Sequence, residues 1–117
     1  MSRERAEKRG RRGEAIAAWY LRLKGYRILG KRVRTPRGEI DLVVKRGRLI
    51  AFVEVKTRET AEELALAIDE YRLGRVAAAA EILAPRYAKS GEDIRIDVIL
   101  IAPGRWPKHI ENAWVGM

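Results

Sequence analysis

The chain has 117 residues, 25 Lys and Arg against 16 Asp and Glu for a net charge of +9, 47% hydrophobic residues, no cysteine and one histidine, His109. A length inside the range of roughly 100–200 residues fits one domain that can bury about two-thirds of its unfolded surface without covalent staples. The missing cysteines exclude a disulfide framework, thiolate metal sites and Cys nucleophiles, and a lone His109 excludes any site built on two imidazoles.

In chain order, residues 1–12 form a polar, basic arm that leads into a helix. Glu14–Leu21 is rich in helix formers, and Ile16, Trp19, Tyr20 and Leu23 recur at helical spacing. Gly25 stands where a left-handed residue would stop that helix. Three strands are expected next: Tyr26–Val33, closed by Pro36 and Gly38; Glu39–Val44; and Leu49–Arg58. The short Lys45–Arg48 link reads as a hairpin turn. Thr60 with Glu63 gives a capping-box signal for a helix over 61–83, with Ile68, Tyr71, Ala78, Ala79, Ile82 and Leu83 as its buried set. Gly74 weakens that helix and Pro85 should end it. Ile94–Ala102 reads as a central strand with Asp97 as its one charge, and His109–Val115 as a last short strand. The order αβββαββ predicts an α/β domain over residues 1–117, a mixed five-stranded sheet flanked by helices.

No stretch approaches the run of about 18 apolar residues that a membrane span needs, and no apolar segment follows the charged N-terminus. A soluble cytoplasmic protein with no membrane partner is the expectation. The charge is lopsided: residues 1–48 carry 16 basic and 5 acidic side chains, whereas residues 49–117 carry 9 and 11. Such a distribution offers a positive surface to a polyanion, with nucleic acid the first candidate, anionic lipid the second, and a merely solvated surface the bland alternative.

Strand parity brings three charges together. Side chains alternate across a strand, so Glu54 and Lys56 share a face, and residues opposite each other in a hairpin point to the same side. A two- or four-residue turn makes paired positions add to an odd number, which places Asp41 beside Glu54 and on the side of Lys56. At a spacing of roughly 5–8 Å one cation could bridge the two carboxylates. A covered Glu-x-Lys on an inner strand needs partners, because unpaired buried charge is costly. Two readings supply them equally well: a structural salt bridge of Lys56 to Glu54 and Asp41, or Asp41 and Glu54 holding Mg²⁺ while Lys56 orients a water.

Asp41 followed by Glu54-Val55-Lys56 resembles the PD-(D/E)xK nuclease motif, with Gly38-Glu39-Ile40-Asp41 in place of its Pro-Asp. More closely, Gly13-Glu14, Gly38-Glu39-Ile40-Asp41-Leu42, Phe52-Val53-Glu54-Val55-Lys56-Thr57-Arg58 and Arg95-Ile96-Asp97-Val98 stand in the order seen in the YraN-like family of small bacterial proteins. That family is similar to archaeal Holliday junction resolvases. The resemblance implies a restriction-endonuclease-like core and Mg²⁺- or Mn²⁺-dependent hydrolysis of DNA phosphodiesters, with branched DNA as the suggested substrate. It implies Asp41 and Glu54 as metal ligands, Lys56 as the water-positioning or charge-stabilising residue, and Glu14 as a further catalytic acid from the first helix. A non-catalytic nucleic-acid-binding module that keeps the fold is the alternative. Resolvase-like proteins act as dimers on a symmetric junction, so a homodimer is also expected.

Phosphate contacts are expected from Arg9, Arg11, Arg12, Lys31, Arg32, Arg34, Arg37 and Arg58, giving affinity without sequence information. Neither a recognition-helix signature nor an RNP-type aromatic strand is found, and DNA is favoured over RNA. Glu39 reads as an outer assistant to the metal or as a partner of a surface arginine. Asp97 is expected to bond an arginine, and His109 to be structural. Trp19, Trp106 and Trp114 are expected in packing roles, and exposure of Trp106 beside Arg105 and Lys108 would favour base stacking instead.

Overall fold

A computed structural model describes residues 3–60 and 70–114, with side chains from 11–60 and 73–114. The elements are α1 (Arg3–Leu23), β1 (Arg27–Thr35), β2 (Gly38–Arg46), β3 (Leu49–Thr57), α2 (Glu70–Tyr87), β4 (Asp93–Ile101) and β5 (Lys108–Ile110). The five strands form one sheet in the order β1-β2-β3-β4-β5. Neighbours are antiparallel except β3 and β4, which run parallel. A parallel pair needs a long crossover, and α2 lies within it. Among the described residues the architecture is the expected mixed α/β sheet flanked by helices.

β3 is central and covered on both faces, with Ile50, Ala51, Phe52 and Val53 fully buried. Its alternate side chains feed two cores. On one face Ala17, Ala18 and Leu21 of α1 pack on Leu42, Val44, Ala51, Val53 and Ile99. On the other, Leu73, Val76, Ala79, Ala80 and Leu83 of α2 pack on Val43, Phe52, Ile96, Val98 and Leu100. Residues 3–12, read as a basic arm, belong to the backbone of α1.

The buried face of α1 differs from the stripe that hydrophobicity suggested. Trp19 is 48% and Leu23 63% exposed, while the small Ala17 and Ala18 are buried. Small side chains let the helix axis approach the sheet, and Gly13 abuts Thr57 of β3 where an added Cβ would collide with the threonine side chain. Close approach selected the face here: it keeps Leu21 and leaves Trp19 and Leu23 outside. The helix ends as expected: Gly25 has φ 92, the Tyr26 amide bonds the Leu21 carbonyl at 3.0 Å, and the Gly25 amide bonds that of Arg22 at 3.0 Å.

Three other boundaries shift. Pro85 lies inside α2, because a missing amide near a helix end forfeits one hydrogen bond and the chain closes the next turn with Ala88 N–H to the Ala84 carbonyl at 2.7 Å. Within α2 the buried face carries Leu83 and leaves Ile82 exposed. Gly74 does not break α2; the Trp114 ring packs against it at 3.5 Å from where a Cβ would stand. The last strand stops at Ile110 rather than running to Val115, since Asn112 adopts φ 51 and turns its amide to Asp97 at 3.0 Å. The expected start of the second helix, with Glu63, Ile68 and the side chain of Tyr71, lies outside the described residues.

Candidate functional site

The β2–β3 ladder runs from Arg46↔Leu49 to Leu42↔Val53. The turn is therefore centred on Gly47-Arg48, and the ladder ends one position short of Asp41 and Glu54, which its register, if continued, would set opposite each other. Beyond that point the strands part. β2 continues beside β1 through Val33↔Ile40 to Thr35↔Gly38, while β3 continues beside β4 from Glu54↔Val98 to Thr57↔Ile101. A fork in a sheet leaves backbone amides without a ladder partner, and such groups must be satisfied otherwise. Here the Asp41 carboxylate accepts the Val55 amide at 2.8 Å. The aspartate thus bridges the fork and is fixed by it.

Lys56, next on the same face as Glu54, is 7% exposed, and its Nζ lies 2.7 Å from Glu54 Oε1. Burial pushes the Asp41 carboxyl up, the Val55 amide pulls it down, Glu54 and Glu14 push it further up, and Lys56 opposes them; the net is a rise from 3.8 to about 7. Those influences place Glu14, Asp41, Glu54 and Lys56 in one electrostatic neighbourhood. Glu14 enters it from α1, on the face opposite α2.

Arg32 of β1 holds Glu14 with Nε at 2.7 Å and Nη2 at 3.4 Å. Its backbone sits at φ 49, left-handed for a non-glycine residue, which costs on the order of 1–2 kcal/mol. Strain of that kind beside a carboxylate cluster marks a position over-determined by its surroundings. Between the fork and α2 lies a cleft of about 200 Å³ lined by Gly38, Glu39, Glu54, Arg75 and Val76. Arg75 is exposed and makes no ion pair among the described residues, so an unpaired guanidinium faces the mouth where Glu54 is held.

Among the described residues no group of three or more His, Cys, Asp or Glu side chains is arranged to hold a metal. The fork instead offers two carboxylates, each with an oxygen not committed to a hydrogen bond or ion pair. That donor set suits Mg²⁺, which takes one or two protein carboxylates and completes its shell with water and phosphate oxygens. Crowding of negative charge at Asp41 is also what a cation would relieve.

The expected phosphate contacts fall into two groups. Arg11, Arg12, Lys31 and Arg37 are exposed with no acidic partner among the described residues. Arg32 is bound to Glu14, Arg34 lies 3.3 Å from Glu39, and Arg58 donates to the Thr57 carbonyl at 2.7 Å. Glu39 is thus paired with an arginine while also lining the cleft. The Arg9 side chain lies outside the described residues. Arg75 and the pairing of Glu14 with Arg32 were not singled out from sequence; the phase of α2 over the sheet, which selects Arg75, has no local signal.

Asp97 is bonded as expected and lies away from the fork. Arg95 grips both its oxygens at 2.8 and 2.7 Å, His109 Nε2 lies at 2.7 Å, and the Asn112 amide donates at 3.0 Å. Lys24 Nζ sits 2.6 Å from His109 Nδ1. An ammonium has no acceptor, so Nδ1 accepts and Nε2–H donates to Asp97. Burial would raise the Asp97 carboxyl, but His109, Arg95 and the Asn112 amide hold it down at about 2. The packing expected of the tryptophans holds for Trp114, which is half-buried against the α2 core, and fails for Trp19 and Trp106.

No helix among the described residues is long and apolar enough to cross a membrane. The family model described as "Uncharacterised protein family UPF0102" matches residues 13–101, which include Glu14, Asp41, Glu54 and Lys56. A UPF0102 protein of Erythrobacter litoralis is 67% identical over 114 residues, covering 97% of this chain and 98% of its own. UPF0102 proteins of Sphingopyxis alaskensis and Rhizorhabdus wittichii are 61% and 62% identical, again over 97% of this chain and over 98% and 97% of theirs. A match of this extent, running from α1 to the end of β4, makes the chain a member of the UPF0102 family.

Proposed function

We propose that this protein is a divalent-metal-dependent endonuclease of the PD-(D/E)xK type, YraN-like, acting on DNA phosphodiesters. The observation that carries the reading is the fork: Asp41 pinned to the Val55 amide just past the last β2–β3 pair, and a buried Lys56 bound to Glu54. Asp41 and Glu54 would hold Mg²⁺ or Mn²⁺. When bound, the ion supplies Lewis-acid stabilisation of the phosphate and a more acidic water. Lys56, held by Glu54, is placed to orient the attacking water and to stabilise negative charge on the phosphate. Arg75 faces the same cleft and is free to meet a phosphate oxygen. Glu14, anchored by Arg32, keeps a further carboxylate near Asp41. The net charge of +9 supplies the long-range attraction to a polyanion.

One observation favours a second reading, a nucleic-acid-binding module without turnover. The 2.7 Å Glu54–Lys56 pair neutralises both groups and could be structural alone. Cleavage assays separate the two. Four-way junctions, flaps and single strands incubated with Mg²⁺ or Mn²⁺ should be cut by the native protein, with at least a 100-fold loss for Glu54→Gln and Lys56→Met and unchanged circular dichroism. Binding without cutting of any substrate selects the second reading.

A further inference from the structure

Trp106 is 73% exposed, the most exposed large apolar side chain of the described residues, yet it is not isolated. Its ring stacks on that of Trp19 with centroids 6.1 Å apart and planes 3° from parallel, and Tyr20 leans on it at 6.4 Å. The indole is thereby held beside two other rings while most of its surface stays open to water. An open indole face is costly to keep in water and is what a planar ligand would cover.

The surroundings are basic. Arg22 follows Trp19 by one helical turn, Arg12 precedes it by two, and Arg105 and Lys108 flank Trp106; all four are exposed and none is paired with an acidic side chain among the described residues. The loop carrying Trp106 leaves β4 after Ile101, which pairs with Thr57 at the end of β3 just beyond Glu54 and Lys56. That loop therefore starts at the fork's end of the sheet, one strand over from β3, and its Trp106 meets α1, the helix on the sheet face opposite α2.

We propose that Trp106, backed by Trp19 and Tyr20, is a stacking platform for an unpaired nucleobase of a strand whose phosphates lie on Arg12, Arg22, Arg105 and Lys108. The inference deepens the nuclease reading and rests on it for the choice of DNA: it makes the substrate class DNA that carries unpaired bases, such as flaps, gaps and splayed junction arms. An aromatic face accepts every base, and cations track the backbone, which gives binding without sequence preference. A second copy of the chain is the poorer occupant, since a two-fold contact would set this basic surface against itself.

The test compares Trp106→Ala, Trp106→Phe and Trp19→Ala with the native protein by fluorescence anisotropy, using labelled oligo-dT and a blunt duplex in EDTA so that nothing is cut. Loss of one stacked base is worth about 1–3 kcal/mol, or roughly 5- to 150-fold in Kd. Trp106→Ala should lose that much affinity for oligo-dT and less than twofold for duplex; Trp19→Ala should lose less; Trp106→Phe should keep most of it. Equal loss on both ligands, no loss on oligo-dT, or a native dimer that Trp106→Ala turns into a monomer by light scattering would overturn the platform. Since cleavage is not the readout, native protein that cuts DNA while Trp106→Ala binds normally refutes this inference alone. Trp106-dependent binding with no cutting refutes the nuclease reading alone.

Discussion

Replacing Asp41 by Asn should stabilise the metal-free protein at pH 8. The native carboxylate accepts the Val55 amide at 2.8 Å, and an Asn Oδ1 can accept the same bond, so the fork remains closed. What changes is charge. Asp41 titrates near 7 instead of 3.8, chiefly through burial and then through Glu54 and Glu14. At ~1.4 kcal/mol per tenfold change in acidity, a rise from 3.8 to about 7 sets a ceiling of about 4 kcal/mol, and partial access of water brings it to roughly 2 kcal/mol. The sign follows from linkage. A carboxyl with a raised folded pKa adds stability fully below its unfolded value of 3.8 and loses it as pH rises through about 7. Native protein and Asp41→Asn should therefore be close in stability at pH 4 and diverge to pH 8, where the variant is the more stable. Urea unfolding in EDTA at pH 4, 6 and 8, followed by tryptophan fluorescence, measures the difference while pH effects elsewhere cancel. A variant less stable than native protein at pH 8, or a difference flat from pH 4 to 8, would refute the argument that burial, with Glu54 and Glu14 beside it, disfavours the ionised Asp41.

Asp97→Ala strands Arg95 and removes the partner of His109, and breaking a buried charge set in this way should cost about 3–5 kcal/mol in urea unfolding. The native Asp97 contribution is present above its unfolded pKa of 3.8 and fades as pH falls through about 2, so the gap between the two proteins should narrow only in strong acid. On the basic surface, Lys31→Ala with Arg37→Ala should reduce the slope of log K against log salt for duplex DNA by about 2, since both cations are exposed and free of acidic partners among the described residues. An unchanged slope would remove those residues from the DNA contact.

The juxtaposition of Asp41, Glu54 and Lys56 was legible because strand periodicity and hairpin parity are local: an odd pairing sum needs only a tight turn at Gly47, and the observed register obeys it. The inner place of β3 was legible too, from its position between the strand of Asp41 and the rest of the sheet; the apolar run read as the central strand, Ile94–Ala102, is β4, one strand over from the centre. The face of α1 was not. Hydrophobicity favoured Ile16, Trp19 and Leu23, whereas Gly13 against Thr57 and the small Ala17 and Ala18 set the contact, and size complementarity between distant segments leaves no periodic signature. The same blind spot hid Arg75, whose position over Glu54 depends on how a long crossover lays α2 on the sheet. β5 was overdrawn because Asn112 turns out of the strand to reach Asp97, a demand set by a buried carboxylate fifteen residues away.

The account stands on a divalent cation between Asp41 and Glu54. A crystal soaked in Mn²⁺ and measured near the manganese absorption edge tests it most directly. The prediction is an anomalous peak within coordination distance of one oxygen from each carboxylate, lost in a Glu54→Gln crystal treated the same way. No peak at the fork at high Mn²⁺, or a peak that persists in Glu54→Gln, would contradict it.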